Sequence, residues 1–341
     1  MTALREGRVT TKQTQLPPVT RQWSDPSLRK IKREPHRKRR SAPSVHRTAL
    51  PPVVSLPSLP SAAKAVEEEL PEASHGFLYA FGGHGGGTAE RFNTTTRTWE
   101  FIAPMLSVRE ECSAVALGGK LYVAGGCHGE SVTLAECYDP QLGLWEALPP
   151  FDEAREAVAA VAVGEKLYLV SSERAFAFDP ELQSWEVLPP MTQARIGCAA
   201  AELDGQLCVC GGRSPGGECL ASAECFDPVA GIWNPLTPML NAPGSCRAAS
   251  LGGKLYVVGC ESPFALHRYC PEVAKWEPLP PSRHCHGDVG IAAFRDKLYL
   301  LGSRFRAGAC ALAERYDPVQ DAWEPLPCMQ VARICCAAAG L

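Results

Sequence analysis

The chain has 341 residues, of which 45% are hydrophobic, with 34 lysines and arginines against 37 aspartates and glutamates. Such a chain can bury one large core or two modest ones, and no run reaches the ~18 apolar residues of a membrane span or forms a secretory signal. The charge is uneven, because residues 1–74 hold fourteen basic and seven acidic residues, about +7, which leaves about −10 for the rest of a chain with net charge −3. We therefore expect an intracellular protein, cytoplasmic or nuclear, without membrane association.

Residues 1–74 are rich in proline, serine and arginine and show no sustained apolar period, which predicts a disordered basic tail. Eight of its basic residues fall between Arg29 and Arg40. This cluster is typical of a nuclear-import signal, of a patch that binds nucleic acid or another polyanion, or of a solvated tail. An organelle transit peptide ranks below nuclear import, because the prolines of the segment oppose an amphipathic helix.

From His75 onward the chain repeats itself, which is the feature to interpret before any single motif. Each unit contains a run of small residues, a two-residue turn, a strand that ends near Gly-Gly, a variable loop, the pattern Glu-x-Tyr/Phe-Asp-Pro and a tryptophan. Six tryptophans mark six units: Trp99, Trp145, Trp185, Trp233, Trp276 and Trp323.

The second unit shows how each unit is expected to fold. Residues 112–117 form a short apolar run, and Gly118-Gly119 is a hairpin signal because both turn positions tolerate positive φ. Residues 120–124 read as the returning strand, and residues 136–138 and 144–147 as two more strands around an Asp-Pro turn. Each unit is therefore predicted to be a four-stranded antiparallel meander.

Six such sheets must cover one another's faces, and the arrangement that also closes the ring is a β-propeller. The alanine-rich first strands are expected to be innermost. Residues 329–341 repeat residues 191–203 and then stop, while residues 75–83 supply the continuation. We therefore predict one all-β, six-bladed domain over residues 75–341, with residues 333–341 completing the first blade.

The repeated elements resemble kelch repeats, as in kelch-like (BTB-kelch) proteins, over residues 75–341. The resemblance rests on the spaced Tyr/Phe and Trp and on three diglycines, Gly82-Gly83, Gly125-Gly126 and Gly211-Gly212. Three units depart from it, with Ser171-Ser172, Gly259-Cys260 and Gly302-Ser303 in place of the diglycine, so we expect less regular loops there. The resemblance implies a protein-binding propeller. Since a BTB domain does not fit into 74 residues, any ubiquitin-ligase component is expected to be supplied in trans.

Two sets of equivalent residues are predicted to bind a partner at one mouth of the central channel. In such propellers, the resemblance implies, arginines just before the innermost strands and residues after the diglycine contact acidic peptide motifs. The predicted partner-binding set is Arg109, Arg155, Arg195, His286 and Arg333 from the first position, and His84, His128, Arg213 and Arg304 from the second. The alternative is that these arginines satisfy nearby carbonyls and the repeated glutamates Glu90, Glu136, Glu224 and Glu314.

Most of the sixteen cysteines fit the repeat register better than a disulfide framework, which belongs to short secreted chains. One repeat position holds cysteine in four blades and valine in the other two, which indicates a slot for a small apolar residue. Those cysteines are Cys112, Cys198, Cys246 and Cys336. Redox sensing or metal binding is the alternative, but no Cys-x-x-Cys is present and His284-Cys285-His286 is the sole His/Cys cluster in the sequence. No metal or cofactor is expected.

No catalytic motif stands apart from the repeats. Residues 82–87, Gly-Gly-His-Gly-Gly-Gly, lack the register of a nucleotide-binding loop. The expected function is therefore a protein-interaction module, a scaffold or substrate-recognition subunit that acts as a monomer and is not an enzyme. The alternative function is a metal-dependent kelch-propeller oxidase or isomerase.

Overall fold

The computed structural model describes residues 76–341 except 129, 132–134, 151–158, 173, 261–265, 285–286 and 306–307. The predicted disordered tail lies outside these residues. The described part is all-β, with two short 3-10 helices, Gly83–Gly85 and Pro271–Val273. Among the described residues, none belongs to a helix long and apolar enough to cross a membrane.

The strands form six four-stranded antiparallel sheets, which are the six predicted blades. From the channel outward, blade 1 contains Ala337–Gly340, Phe77–Phe81, Ala89–Asn93 and Thr98–Ile102. Blade 2 contains Ser113–Leu117, Lys120–Ala124, Ala135–Asp139 and Leu144–Ala147. Blade 3 contains Ala159–Val163, Lys166–Val170, Ala175–Asp179 and Ser184–Val187. Blade 4 contains Ala199–Leu203, Gln206–Cys210, Ala223–Asp227 and Ile232–Leu236. Blade 5 contains Cys246–Leu251, Lys254–Gly259, Leu266–Cys270 and Lys275–Pro278. Blade 6 contains Gly290–Phe294, Lys297–Phe305, Gly308–Asp317 and Ala322–Pro325.

Local turn chemistry defines the strand ends. In blade 2 the hairpin residues Gly118 and Gly119 both have positive φ, 57° and 76°, which a side chain would disfavour. After the third strand, the carboxylate of Asp139 accepts hydrogen bonds from the backbone N–H of Gln141 and Leu142, at 2.9 and 3.2 Å. These contacts reverse the chain into the outermost strand, as the Asp-Pro pattern predicts.

The C-terminal strand closes the ring, as predicted. Ala337–Gly340 pairs antiparallel with Phe77–Phe81, with Phe81 opposite Ala337 and Leu78 opposite Gly340. It also packs against the innermost strands of blades 2 and 6, so each innermost strand contacts both of its neighbours around the channel. The two ends of the repeat region therefore form a single blade, and no open sheet edge remains between blades 1 and 6.

The six tryptophans fill the space between blades and also link them by hydrogen bonds. Trp145 packs on Tyr138 of its own blade, with ring centroids 5.1 Å apart, and its indole N–H donates to the carbonyl of Ala103 in the linker from blade 1 at 2.8 Å. Trp99 donates to the carbonyl of Pro327 at 2.9 Å, which connects blade 1 to blade 6. Because every tryptophan makes the equivalent contact, the ring carries six interblade bonds of this type.

Two blades show local departures from the repeat. In blade 6, where Gly302-Ser303 replaces the diglycine, the second and third strands extend to Phe305 and from Gly308, with a register shift between Leu301 and Ser303. This agrees with the irregular loop expected there. In blade 4, Cys208 and Cys225 face each other across the second and third strands and form a disulfide. This pair is an exception to the prediction that most cysteines fit the repeat register and not a disulfide framework. The register places both at one cross-strand position, where the second strand of the other blades carries tyrosine.

Candidate functional site

We call the predicted partner-binding residues just before the innermost strands the ring residues. The three ring arginines that the structure describes lie inside the blades and not at the channel mouth. Arg109, Arg195 and Arg333 are only 0%, 1% and 0% exposed. Each reaches the third strand of its own blade, where it pairs with a glutamate that is equally buried. The shortest N–O distances are 2.8 Å for Arg109 to Glu136, 3.0 Å for Arg195 to Glu224 and 2.9 Å for Arg333 to Glu90.

Arg333 shows what each of these buried pairs does. Its Nε donates to Glu90 Oε1 at 2.9 Å, and its Nη1 donates to the carbonyl of Gly82, the first residue of the diglycine, at 2.7 Å. The second oxygen of Glu90 accepts the backbone N–H of Gln330 at 2.8 Å. The pair therefore ties the segment before the innermost strand to the diglycine and to the third strand, and it satisfies buried groups that would otherwise be costly.

The prediction that these arginines contact a partner is corrected accordingly. With 0–1% of their surface exposed and their donors directed into the blade, Arg109, Arg195 and Arg333 have no surface to offer a ligand. The alternative from the sequence, satisfaction of carbonyls and repeated glutamates, describes them. Arg155 and His286, the other members of the ring, lie outside the described residues.

The predicted residues after the diglycines do lie on one face. His84 is 56% exposed in its side chain and lies 3.8 Å from a carboxylate oxygen of Glu110. Arg304 is 57% exposed in its side chain and its Nε pairs with Asp288 at 2.5 Å. Arg213 is half-buried and is bridged through its backbone to Ile196. His128 belongs to a two-residue strand, Cys127–His128, which pairs with Glu130–Ser131.

These contacts bring the loops after the second strands together with the segments before the innermost strands. We call this surface the mouth face; it contains His84, Glu110, Glu111, Arg213, Asp288, Arg304 and Cys335.

Three residues at the mouth lie two positions after a predicted partner-binding residue, namely after Arg109, His286 and Arg333. Glu111, Asp288 and Cys335 all have positive φ, between 48° and 58°. Their backbones join neighbouring blades, because the N–H of Glu111 donates to Cys335 at 3.0 Å and that of Cys335 donates to Asp288 at 2.8 Å. The side chain of Glu111 is exposed at this point. The mouth therefore displays carboxylates beside cations, not the uniformly basic ring expected from the sequence.

Arg247 is the cation that the sequence analysis missed. It lies on the innermost strand of blade 5 and lines the narrow part of the channel together with Ser113, Ala159 and Gly290. Burial raises the thiol pKa of Cys112, Cys198 and Cys336, and the guanidinium of Arg247 opposes that rise. Residues of all six innermost strands line the same cavity, so Arg247 lies at the channel.

The signal for Arg247 was present in the repeat alignment. The equivalent position holds small residues in the other five blades, and arginine is the outlier in size and charge. Those residues are Ser113, Ala159, Ala199, Gly290 and Ala337. A charged residue at a slot reserved for small side chains around an axis is the kind of local inconsistency that marks a functional position.

The shared cysteine position is a packing site, as predicted. Cys112, Cys246 and Cys336 are at most 1% exposed and Cys198 is 7% exposed. Burial raises the thiol pKa of Cys112 to about 12 and that of Cys198 to about 11. These thiols are therefore protonated at neutral pH and poor nucleophiles.

The described residues contain no group of three or more His, Cys, Asp or Glu side chains arranged to hold a metal ion. Of the cluster His284-Cys285-His286, only His284 is described, and its backbone N–H donates to Glu314 at 3.2 Å. The mouth face therefore shows binding groups of both charges without a metal centre in the part that is described.

The comparisons with known proteins agree with this architecture. The sequence model of the Kelch motif matches residues 73–106, 109–151 and 194–240. Kelch motifs therefore lie in blades 1, 2 and 4 of the propeller. Its kelch region is 44% identical over 54 residues to Kelch-like protein 25 of Rattus norvegicus and 43% identical over 54 residues to that of Homo sapiens. Each match covers 16% of this chain and 9% of the relative, so the matched segment spans less than a tenth of these relatives' length.

A solved structure shares the fold. The chain titled "Structure of YjhT" superposes with a TM-score of 0.61 at 13% sequence identity, over 73% of this chain and 94% of that one. At this identity the likeness concerns the propeller fold alone.

Proposed function

We propose that this kelch propeller is a protein-interaction module that binds a partner protein at the mouth face and acts by binding, without catalysis. The supporting observation is a division of the charged residues by depth. The Arg–Glu pairs common to the repeats are buried, whereas His84, Glu111 and Arg304 are exposed around the channel. Exposed polar residues on loops held by a rigid framework are the usual place for recognition.

The charges of the mouth face favour a partner segment that carries both signs. Arg213 and Arg304 are its cations in the loops, and Glu110 and Glu111 are its anions. Complementary charges mainly give specificity and association rate. The acidic motif expected from the family resemblance is thereby narrowed to a segment that also offers a basic residue to Glu111.

The role proposed for such binding is that of a scaffold or substrate-recognition subunit. We propose that the propeller acts as a monomer.

Affinity capture from cell extract tests the proposed face. Three baits are compared. The first is the unchanged full chain, and the second is the mouth variant with Glu111→Lys and Arg304→Glu. The third is a control with Glu146→Lys and Lys275→Glu, at exposed positions of the outermost strands. We expect the control to retain the partners of the unchanged chain and the mouth variant to lose them. If all three baits capture the same proteins to the same extent, the mouth face is not the binding surface.

A further inference from the structure

The central channel is a cavity of uneven width. Its wide part measures about 280 Å³ and is lined mainly by alanines of all six innermost strands, with Glu202 and Ser250 among its polar residues. Its narrow part measures about 50 Å³ and is lined by Arg247 together with alanines, cysteines, Ser113 and Gly290. A cavity needs ~10–15 Å³ to hold one water, so the narrow part has room for a few water-sized groups.

The wall of the channel supplies polar groups of its own. Each innermost strand is hydrogen-bonded to the second strand of its blade, and its other edge faces the channel. Backbone N–H and C=O groups on such an edge need partners. The channel is therefore lined by apolar side chains and by strand edges that can donate hydrogen bonds.

The guanidinium of Arg247 has no counter-ion among the described residues. Its hydrogen bond is to the carbonyl of the preceding residue, Cys246, from Nη1 at 3.2 Å. Glu111 contributes at longer range, and the thiols of Cys260 and Cys335 are its other electrostatic neighbours. Every other innermost strand has a small residue here, so at this position the described residues of those strands place no charge beside the guanidinium.

A cation in such a place favours an anion. An arginine offers five N–H donors in a planar fork, and Nη1 of Arg247 uses one of them for the carbonyl of Cys246. A cation partly removed from water gains most from a compensating charge held at hydrogen-bonding distance.

We propose that the narrow part of the channel binds one small monovalent anionic group, of the size of a carboxylate or a halide, between the guanidinium of Arg247 and the N–H groups of the facing strand edges. The group comes either from the solvent as a free anion or from an acidic side chain of a partner that reaches into the mouth. The shared chemistry is a single compact negative charge. The proposal stands without the proposed partner function, because a free anion satisfies it.

Thermal unfolding of the full chain in sodium formate tests the site. Formate replaces sodium gluconate at constant ionic strength, because gluconate is too bulky for the narrow cavity. A ligand that binds the folded state alone raises its stability. We expect a saturable rise of about 2–4 °C in melting temperature for the unchanged chain.

Arg247→Ala is the test variant, since three other blades hold alanine at this position and the fold tolerates it there. We expect it to lose the formate effect, while Arg304→Ala, which removes an exposed cation of the same face, keeps it. An equal rise in the Arg247→Ala protein, or no rise in the unchanged chain, overturns the proposal. Broadening of the chloride-35 resonance gives a second reading that does not depend on unfolding: it is expected with the unchanged chain and absent with Arg247→Ala.

The source of the anion is decided by competition. If a captured partner supplies the anionic group, formate weakens its binding to the unchanged chain and leaves the weaker binding to Arg247→Ala unaffected. If binding of the partner is insensitive to formate while the melting temperature still responds, the site takes a free anion. A failure of the mouth-face variants to affect capture would count against the proposed function and leave the anion site standing.

Discussion

At the scale of single residues, burial distinguishes the arginines inside the blades from arginines that could contact a ligand. The repeat alignment alone makes the two kinds look alike. Arg109, Arg195 and Arg333 stabilise the interior of their blades. Each forms an ion pair with a buried glutamate and donates a hydrogen bond to a carbonyl of the diglycine. Blade 5 has neither partner, since Pro243 takes the arginine position and His267 the glutamate position. In the sequence, blade 3 has Arg155 with Phe176 at the glutamate position, and blade 6 has Glu314 with His286 at the arginine position. The complete Arg–Glu pair therefore belongs to blades 1, 2 and 4.

Removal of one member of a buried pair is expected to cost more than removal of both. Arg109→Met leaves the carboxylate of Glu136 buried without its counter-ion, which should lower the free energy of unfolding by about 3–5 kcal/mol. The double variant Arg109→Met/Glu136→Leu should recover much of that loss. Denaturant unfolding measures both.

The matched control for this pair is Arg97→Met, which breaks an exposed ion pair with Glu324 and should cost at most about 1 kcal/mol. If Arg109→Met lowers the free energy of unfolding no more than this control does, the buried pair does not stabilise the blade.

The thiols of the shared cysteine position should resist alkylation in the native protein. Burial raises the pKa of Cys112 to about 12 and of Cys198 to about 11, so the reactive thiolate is scarce at pH 8. Cys219 and Cys328 are exposed and should react first. Mass spectrometry after brief iodoacetamide treatment reads out each site. Equal labelling of Cys112 and Cys219 in the folded protein would contradict this assignment.

At the scale of elements, the positions of the strands could be predicted from the sequence, whereas the burial of side chains could not. Turn glycines such as Gly118 and Gly119, and the Asp139-Pro turn, mark strand ends by local stereochemistry, which needs no tertiary information. Closure by residues 337–340 was also predictable, because it follows from one repeat being split between the two ends. Whether Arg109 points inward or outward depends on the position of Glu136, and equal spacing along the chain does not contain that information.

Two other features of the site lay beyond what the repeat pattern could give. The cross-strand disulfide of Cys208 and Cys225 depends on register between strands. The axial position of Arg247 depends on how tightly six innermost strands surround the channel, although its size set it apart from its equivalents in the alignment.

Closure of the ring makes the C-terminal strand a structural requirement. Truncation before Arg333 removes the innermost strand of blade 1 and the Arg333–Glu90 pair, and it exposes the edge of Phe77–Phe81. We expect a large drop in melting temperature, measured by circular dichroism on the full chain and the truncated chain. The control is Val319→Ser, at a turn residue that is 90% exposed, which should change little. An unchanged melting temperature for the truncated chain would overturn the closure argument.

At the scale of the whole molecule, the propeller consists of a buried repeated framework and one face where the repeats differ. Kelch motifs match three blades of this framework, and the residues after the diglycines and before the innermost strands give that face its charges. The alternative, a metal-dependent enzyme on the same fold, predicts a bound metal. Elemental analysis of the purified full chain should give no stoichiometric copper, iron or zinc; a metal at one equivalent would count against a function in binding alone.

The central claim is that partners bind through the exposed charges of the mouth face and not through the ring arginines. The most direct measurement is the dissociation constant of a captured partner, by calorimetry, for the unchanged chain and for the Glu111→Lys/Arg304→Glu variant at equal fractions of folded protein. We predict binding weaker by roughly tenfold or more, which corresponds to a loss of at least about 1.4 kcal/mol. A dissociation constant that stays the same in the variant would contradict the account.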